Sequence, residues 1–226
     1  MKLSHNTVVT AITVALVCGG AWASDLTLLV DPMFGSTENT GASASVSLSF
    51  LDRGKSDVLA ITIENTTPPE IGAALTAIGL ELPEAFDFYL KFAPGGSGNY
   101  FDTLLYNERF SPGWLNAPDG YDIVISGDDS FLGQGPRGAP MAGESETISL
   151  YLGDTGLSAS DLARSAIDFY MTDRDNFLVG RFQRVGRNGE DSDKVRGGVP
   201  EPATGLLLLA GSWALFGRRR TRLLRP

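Results

Sequence analysis

Apolar and polar residues alternate along much of this chain with a period of two. In residues 44–51, Val46, Leu48 and Phe50 fall on one side and Ser45, Ser47 and Ser49 on the other. Such alternation turns one side of an extended strand toward a core and the other toward water. Residues 58–64 repeat it through Leu59, Ile61 and Ile63, and the intervening Asp52-Arg53-Gly54-Lys55-Ser56-Asp57 is turn chemistry. The two runs predict an antiparallel hairpin with one buried face. Further strand patterns cover 26–30, 73–82, 86–92, 121–125, 146–152 and 166–172 (Ile167, Phe169, Met171), with 177–185 as the last strand. One helical stretch stands out, 158–164, where Ser158 or Ser160 can cap one or two turns. Short strands separated by Gly and Pro predict an all-β fold, a single β-sandwich domain (jelly-roll or Ig-like) of about eight to ten strands. Two irregular stretches, 94–119 and 127–143, read as ordered loops laid over the sandwich ends. The first holds Tyr100, Phe101, Leu104, Phe110 and Trp114, which are too apolar for a free linker.

The two ends of the chain follow a different pattern. Lys2 and His5 precede a short apolar run, 8–17, and Ala21-Trp22-Ala23 is an A-x-A cleavage site. This predicts a secretory signal peptide over 1–23, with Ser24 as the mature start. Val17, directly before Cys18, stands where a lipoprotein signal wants a small residue. At the other end, Val199-Pro200-Glu201-Pro202 is followed by an uncharged run, 203–217, and then by Arg218, Arg219, Arg220 and Arg222. Two prolines so close cannot continue a helix or strand. As a helix the apolar run spans ~22 Å against a hydrocarbon core of ~30 Å, a short C-terminal membrane helix. The arginines behave as a stop-transfer cluster that stays on the cytoplasmic side.

Composition sharpens the picture once both ends are set aside. The chain's single His and single Cys, His5 and Cys18, lie in the predicted signal peptide. Residues 24–198 therefore hold neither, which excludes a Ser-His-Asp triad, a Cys-His pair, His- or Cys-ligated zinc and haem, and any disulfide. Of the 18 Lys+Arg and 27 Asp+Glu in the chain, 12 and 26 fall in that stretch, a formal charge of −14. A surface so acidic argues against nucleic-acid binding.

The tail, in its order of Val199-Pro200-Glu201-Pro202-Ala203-Thr204-Gly205-Leu206, short apolar segment and arginine cluster, resembles the PEP-CTERM sorting signal of exported proteins in Gram-negative, exopolysaccharide-producing bacteria. The resemblance implies an exosortase-like processing partner that recognises Pro200, Glu201 and Pro202. It implies inner-membrane anchoring before processing and a cell-surface or extracellular destination afterwards. Three segments follow: signal peptide 1–23, exported β domain 24–198 and sorting signal 199–226. Arg181-Phe182-Gln183 with Gly189-Glu190-Asp191-Ser192-Asp193-Lys194 also resembles the end of the exported domain in some of these proteins, and brings no activity with it. The plain alternative there is a final strand with an exposed Asp/Ser turn.

Candidate chemistry in the domain is sparse. Asp173, Asp175 and Asn176 form an acidic loop of the type that offers oxygen ligands to Ca²⁺, as does Glu190-Asp191-x-Asp193; neither matches an EF-hand. With 26 carboxylates in the domain, solvated turns are the plain alternative. Trp114, Tyr100 and Tyr106 lie in the irregular stretch and are candidates for stacking on sugar rings, against the alternative that they seal the core. No carboxylate pair is marked out for glycoside hydrolysis, and the Lys55–Ser56 neighbours are poorly placed for a dyad. The expectation is a non-enzymatic surface or extracellular protein without a required cofactor, structural or adhesive in an exopolysaccharide matrix. The alternative is a carbohydrate- or calcium-dependent binding module.

Overall fold

A computed structural model describes residues 26–52, 56–86, 90–93, 95–127, 139–172, 176–186 and 188–200. Among these residues there are ten strands and one α-helix. The strands are β1 (Leu26–Val30), β2 (Ala44–Leu51), β3 (Asp57–Asn65), β4 (Ala74–Leu80), β5 (Lys91–Phe92), β6 (Thr103–Glu108), β7 (Tyr121–Ser126), β8 (Ser145–Gly153), β9 (Leu178–Val185) and β10 (Asp191–Gly198), and α1 (Ala159–Thr172) lies between β8 and β9. Every pairing is antiparallel, in the order β5-β8-β3-β2-β1-β10-β9-β4-β7-β6. The predicted all-β class holds. The strands run as one continuous sheet whose two five-strand halves meet at β1 and β10, through Leu29↔Gly198 and Val30↔Gly197.

The alternation in the sequence sets the faces. Val46, Leu48 and Phe50 of β2, Leu59, Ile61 and Ile63 of β3, and Ile148, Leu150 and Leu152 of β8 are buried in one core cluster. That cluster also takes Leu75, Ile78 and Leu80 of β4, Ile123 and Ile125 of β7, and Phe182 of β9, so the sheet curls around a shared interior. Each such side chain removed from water contributes about 1.5–3 kcal/mol. The curl brings the two ends of the order close together, and the Tyr106 hydroxyl of β6 donates to the Leu90 carbonyl beside β5. The result is a sheet close to a barrel.

Three sequence expectations are corrected. Residues 166–172 are helical, not extended, because Leu162, Ala163, Ala166 and Tyr170 recur at helical spacing and fill the core. Ser158 starts this helix by accepting from the Asp161 N–H at 3.2 Å while its hydroxyl donates to the Asp161 carboxylate at 2.6 Å. Of the 86–92 pattern residues 87–89 lie outside the described residues; among the rest Lys91–Phe92 pair as a strand, while Phe86 sits in a turn and its ring packs 5.3 Å from that of Phe50. Finally, 177–185 is not the last strand. The residues read as an exposed Asp/Ser turn enter β10, with Asp191 opposite Val185 and Lys194 opposite Arg181.

Part of the irregular 94–119 stretch is strand β6; before it Phe101 enters the main core with Tyr100 packed against it, and after it residues 109–119 form a cover. It lies on the outer face of the β9-β4-β7 half and not over an end of the fold. Phe110 and Leu115 pack there on Ala77, Tyr121, Val124 and Val179. Gly79 makes room: a Cβ at this position would meet Phe110 at 2.8 Å and Tyr121 at 2.9 Å. Asn116 closes the cover from within, accepting from Phe110 N at 2.6 Å and donating to Phe110 O at 2.8 Å.

Candidate binding cleft on the outer face of β10

Successive residues of β10 point to opposite sides. Val195 joins the main core, so Lys194 and Arg196 face outward. Arg181 of β9 is the register partner of Lys194 and shares that outer side. The segment after β1 runs along β10: Thr37 N donates to Lys194 O at 3.0 Å and Arg196 N to Gly35 O at 2.8 Å. Trp114, at the tip of the cover, projects over this face, with the Arg196 guanidinium 4.6 Å from its ring centroid. Gly35 allows that approach, since a Cβ there would lie 3.2 Å from Arg196 Cδ and 3.5 Å from the indole. Trp114 still keeps 46% of its surface exposed. Between these elements lies a polar cleft of about 360 Å³, walled by Thr37 and Glu38, by Ser111, Pro112 and Trp114, and by Ser192 and Lys194.

Asp193 anchors the first wall. It is 1% exposed, yet its carboxylate is fully used within the chain. The Ser36 hydroxyl donates to both oxygens at 2.8 Å. Oδ1 also accepts from the N–H and hydroxyl of Thr37 and the N–H of Glu38, and Oδ2 from the N–H and hydroxyl of Thr40. Burial pushes the Asp193 pKa up, but the bonds from Thr40, Ser36 and Glu38 outweigh it and hold the group below the usual carboxylate range. Beside it, burial lowers the Lys194 pKa, and the neighbouring Arg181 lowers it further against the opposing pull of Asp193 and Glu38.

Other carboxylates fasten loops in the same way. Glu146 accepts from the backbone N–H groups of Asn99, Tyr100 and Phe101. Asp57, buried at the start of β3, accepts from the N–H and hydroxyl of Thr155. A second cleft, of about 500 Å³, opens near the meeting of β5 and β6, with Leu82, Phe86 and Leu90 as its floor and Lys91, Tyr106 and Asp122 at its rim.

The three aromatic candidates do not form one patch. Trp114 stands over β10. Tyr106 lines the cleft near β5, on the side of β6 that also carries Leu104. Tyr100 is half-buried against the main core. Asp193 is corrected from a calcium candidate to a loop anchor, because its oxygens already accept from protein donors. Among the described residues no group of three His, Cys, Asp or Glu side chains is placed to hold a metal ion. Of the other calcium trio, Asp173 and Asp175 lie outside the described residues, and the buried Oδ1 of Asn176 has no hydrogen-bond partner among those described. The signal peptide, Glu201, Pro202, the apolar run and Arg218, Arg219, Arg220 and Arg222 also lie outside them, while Pro200 is half-buried beyond β10. Among the described residues no helix is long and apolar enough to cross a membrane.

Sequence reasoning missed Lys194 and Arg196 as neighbours of Trp114, and Arg181 as the cross-strand partner of Lys194. The available signal was the i, i+2 spacing of Lys194 and Arg196, which marks one face once β10 is recognised as a strand. No protein-family model, curated protein or solved structure matches this chain.

Proposed function

We propose that this chain is an exported, non-catalytic surface protein whose C-terminal tail, from Val199 onward, delivers it to an exosortase-like processing enzyme. Its domain then serves as a structural or adhesive component of an extracellular polysaccharide matrix. The observation that carries the reading is the ordered tail, with Pro200, Glu201 and Pro202, an uncharged run and Arg218, Arg219, Arg220 and Arg222. The strand order supports it: β1 and β10, the first and last strands, pair antiparallel through Leu29↔Gly198. Residues 26 and 198 thus lie at the same end of the fold, as suits a domain held at one point. We read the two five-strand halves as the layers of a β-sandwich joined at that seam. The test is fractionation of the producing cells. Glu201→Ala, or deletion of residues 218–222, is expected to leave full-length protein in the membrane fraction, and normal processing of both variants overturns the sorting assignment.

A further inference from the structure

We propose that the cleft between the 36–38 segment, the Ser111–Trp114 turn and the outer face of β10 binds an acidic saccharide. A sugar ring would stack on the exposed part of Trp114, and its carboxylate would meet Lys194. The site rests on the exported-matrix reading only for where such a ligand is encountered.

Charge points to this class of ligand. Residues 24–198 carry 26 acidic and 12 basic side chains, yet three of those twelve, Arg181, Lys194 and Arg196, occupy neighbouring positions on one face of β9 and β10. Cross-strand partners on one face have Cβ atoms about 5 Å apart, and like charges placed so destabilise a sheet. The lowered Lys194 pKa registers that crowding, through burial first and Arg181 second. A carboxylate received in the cleft would meet Lys194 on its wall, and a partly buried cation is screened less by salt than a fully exposed one.

The aromatic group points the same way. Trp114, 46% exposed, is the one aromatic residue among the described residues on the wall of an otherwise polar cleft. Arg196 holds the ring from one side by a cation–π contact, so little conformational freedom is lost on binding. The exposed Ser111 and Ser192 offer hydroxyls to the sugar hydroxyls. The cleft wall is held in place by the Asp193 contacts, which fix residues 36–40 before any ligand arrives. Glu38 is the one acidic wall residue, and it supplies a discriminating control.

The full-length protein is titrated with a galacturonic-acid oligosaccharide and with the matching neutral galactose oligosaccharide, by calorimetry and tryptophan fluorescence. Saturable binding of the acidic oligosaccharide is expected, at least about tenfold tighter than the neutral one, which corresponds to about 1.4 kcal/mol. Trp114→Ala and Lys194→Ala, with melting temperatures close to that of the parent, should each weaken binding about tenfold. Glu38→Gln should tighten it, because a like charge leaves the cleft. Absence of saturable binding overturns the proposal, as do equal affinity for the neutral oligosaccharide and unchanged affinity in both alanine variants. Glu38→Gln weakening the complex would identify a neutral-sugar site and also overturn it. Fractionation of Glu201→Ala reports on sorting alone, so either proposal can fail without the other.

Discussion

Six donor groups from residues 36–40 converge on the two oxygens of Asp193. In a domain without disulfides this side chain ties a loop to a strand more than 150 residues away. Asp193→Asn keeps the shape but replaces one acceptor oxygen with an amide that faces donors. A loss of about 2–4 kcal/mol is expected, read from the urea midpoint. The pH dependence follows from the depressed pKa of the folded state. Asp193 contributes its stability above its unfolded pKa of about 3.9, and loses it as pH falls through the lower folded value. Acid unfolding of the parent below about pH 4 should therefore be partly absent in Asp193→Asn. This role was not legible in the sequence. Glu190-Asp191-x-Asp193 reads as a solvated turn because composition shows neither the partner strand nor donors so far away along the chain. A separation of 45–47 residues likewise hides Glu146 and its contacts with 99–101.

Local pattern was a good guide to elements that are buried on one face and a poor one elsewhere. β2, β3 and β8 alternate cleanly because their outer faces meet water, and their positions were legible from the side-chain period alone. α1 was half legible. Its Ser158 start was visible, but Ile167, Phe169 and Met171 alternate by chance, and the stripe that decides the matter is Leu162, Ala163, Ala166 and Tyr170. Tyr170 pins the end of that helix: its ring lies 5.0 Å from that of Phe177, and its hydroxyl donates to Glu81 O at 2.7 Å. Tyr170→Phe should cost about 1 kcal/mol, the worth of the one hydrogen bond, whereas Tyr170→Ala should cost about 3–5 kcal/mol through the cavity. Chemical denaturation of the two variants separates these values. β10 was missed because its Asp, Ser, Lys and Gly residues are poor strand formers, and long-range pairing with β9 overrides that preference. The two glycines at its end serve packing, since a Cβ at Gly197 would collide with the Leu178 side chain and one at Gly198 with the Phe34 ring.

At the scale of the whole molecule, the all-β class was legible, and the single ten-strand order was not. Sequence shows which faces are apolar but not which strand lies beside which, and here neighbours in the sheet such as β1 and β10 are separated by nearly the whole domain. The candidate cleft was hidden for the same reason, because Trp114 meets Lys194 and Arg196 only after β10 has paired with β9. That seam has a consequence for connectivity. With Leu29 opposite Gly198 in an antiparallel pair, residue 26 lies about 10 Å along the strand from the level of residue 198, within reach of about four residues. The chain order is therefore separable from the fold. A circular permutant that joins 198 to 26 by such a linker, with new ends between the exposed Gly156 and Leu157, keeps the Asp57–Thr155 contact and the Ser158 cap. It should show a cooperative melt and a far-ultraviolet spectrum like that of the parent domain. A permutant that fails to fold would mean that β1 and β10 need a direction of synthesis, and not only each other's company, to find their register.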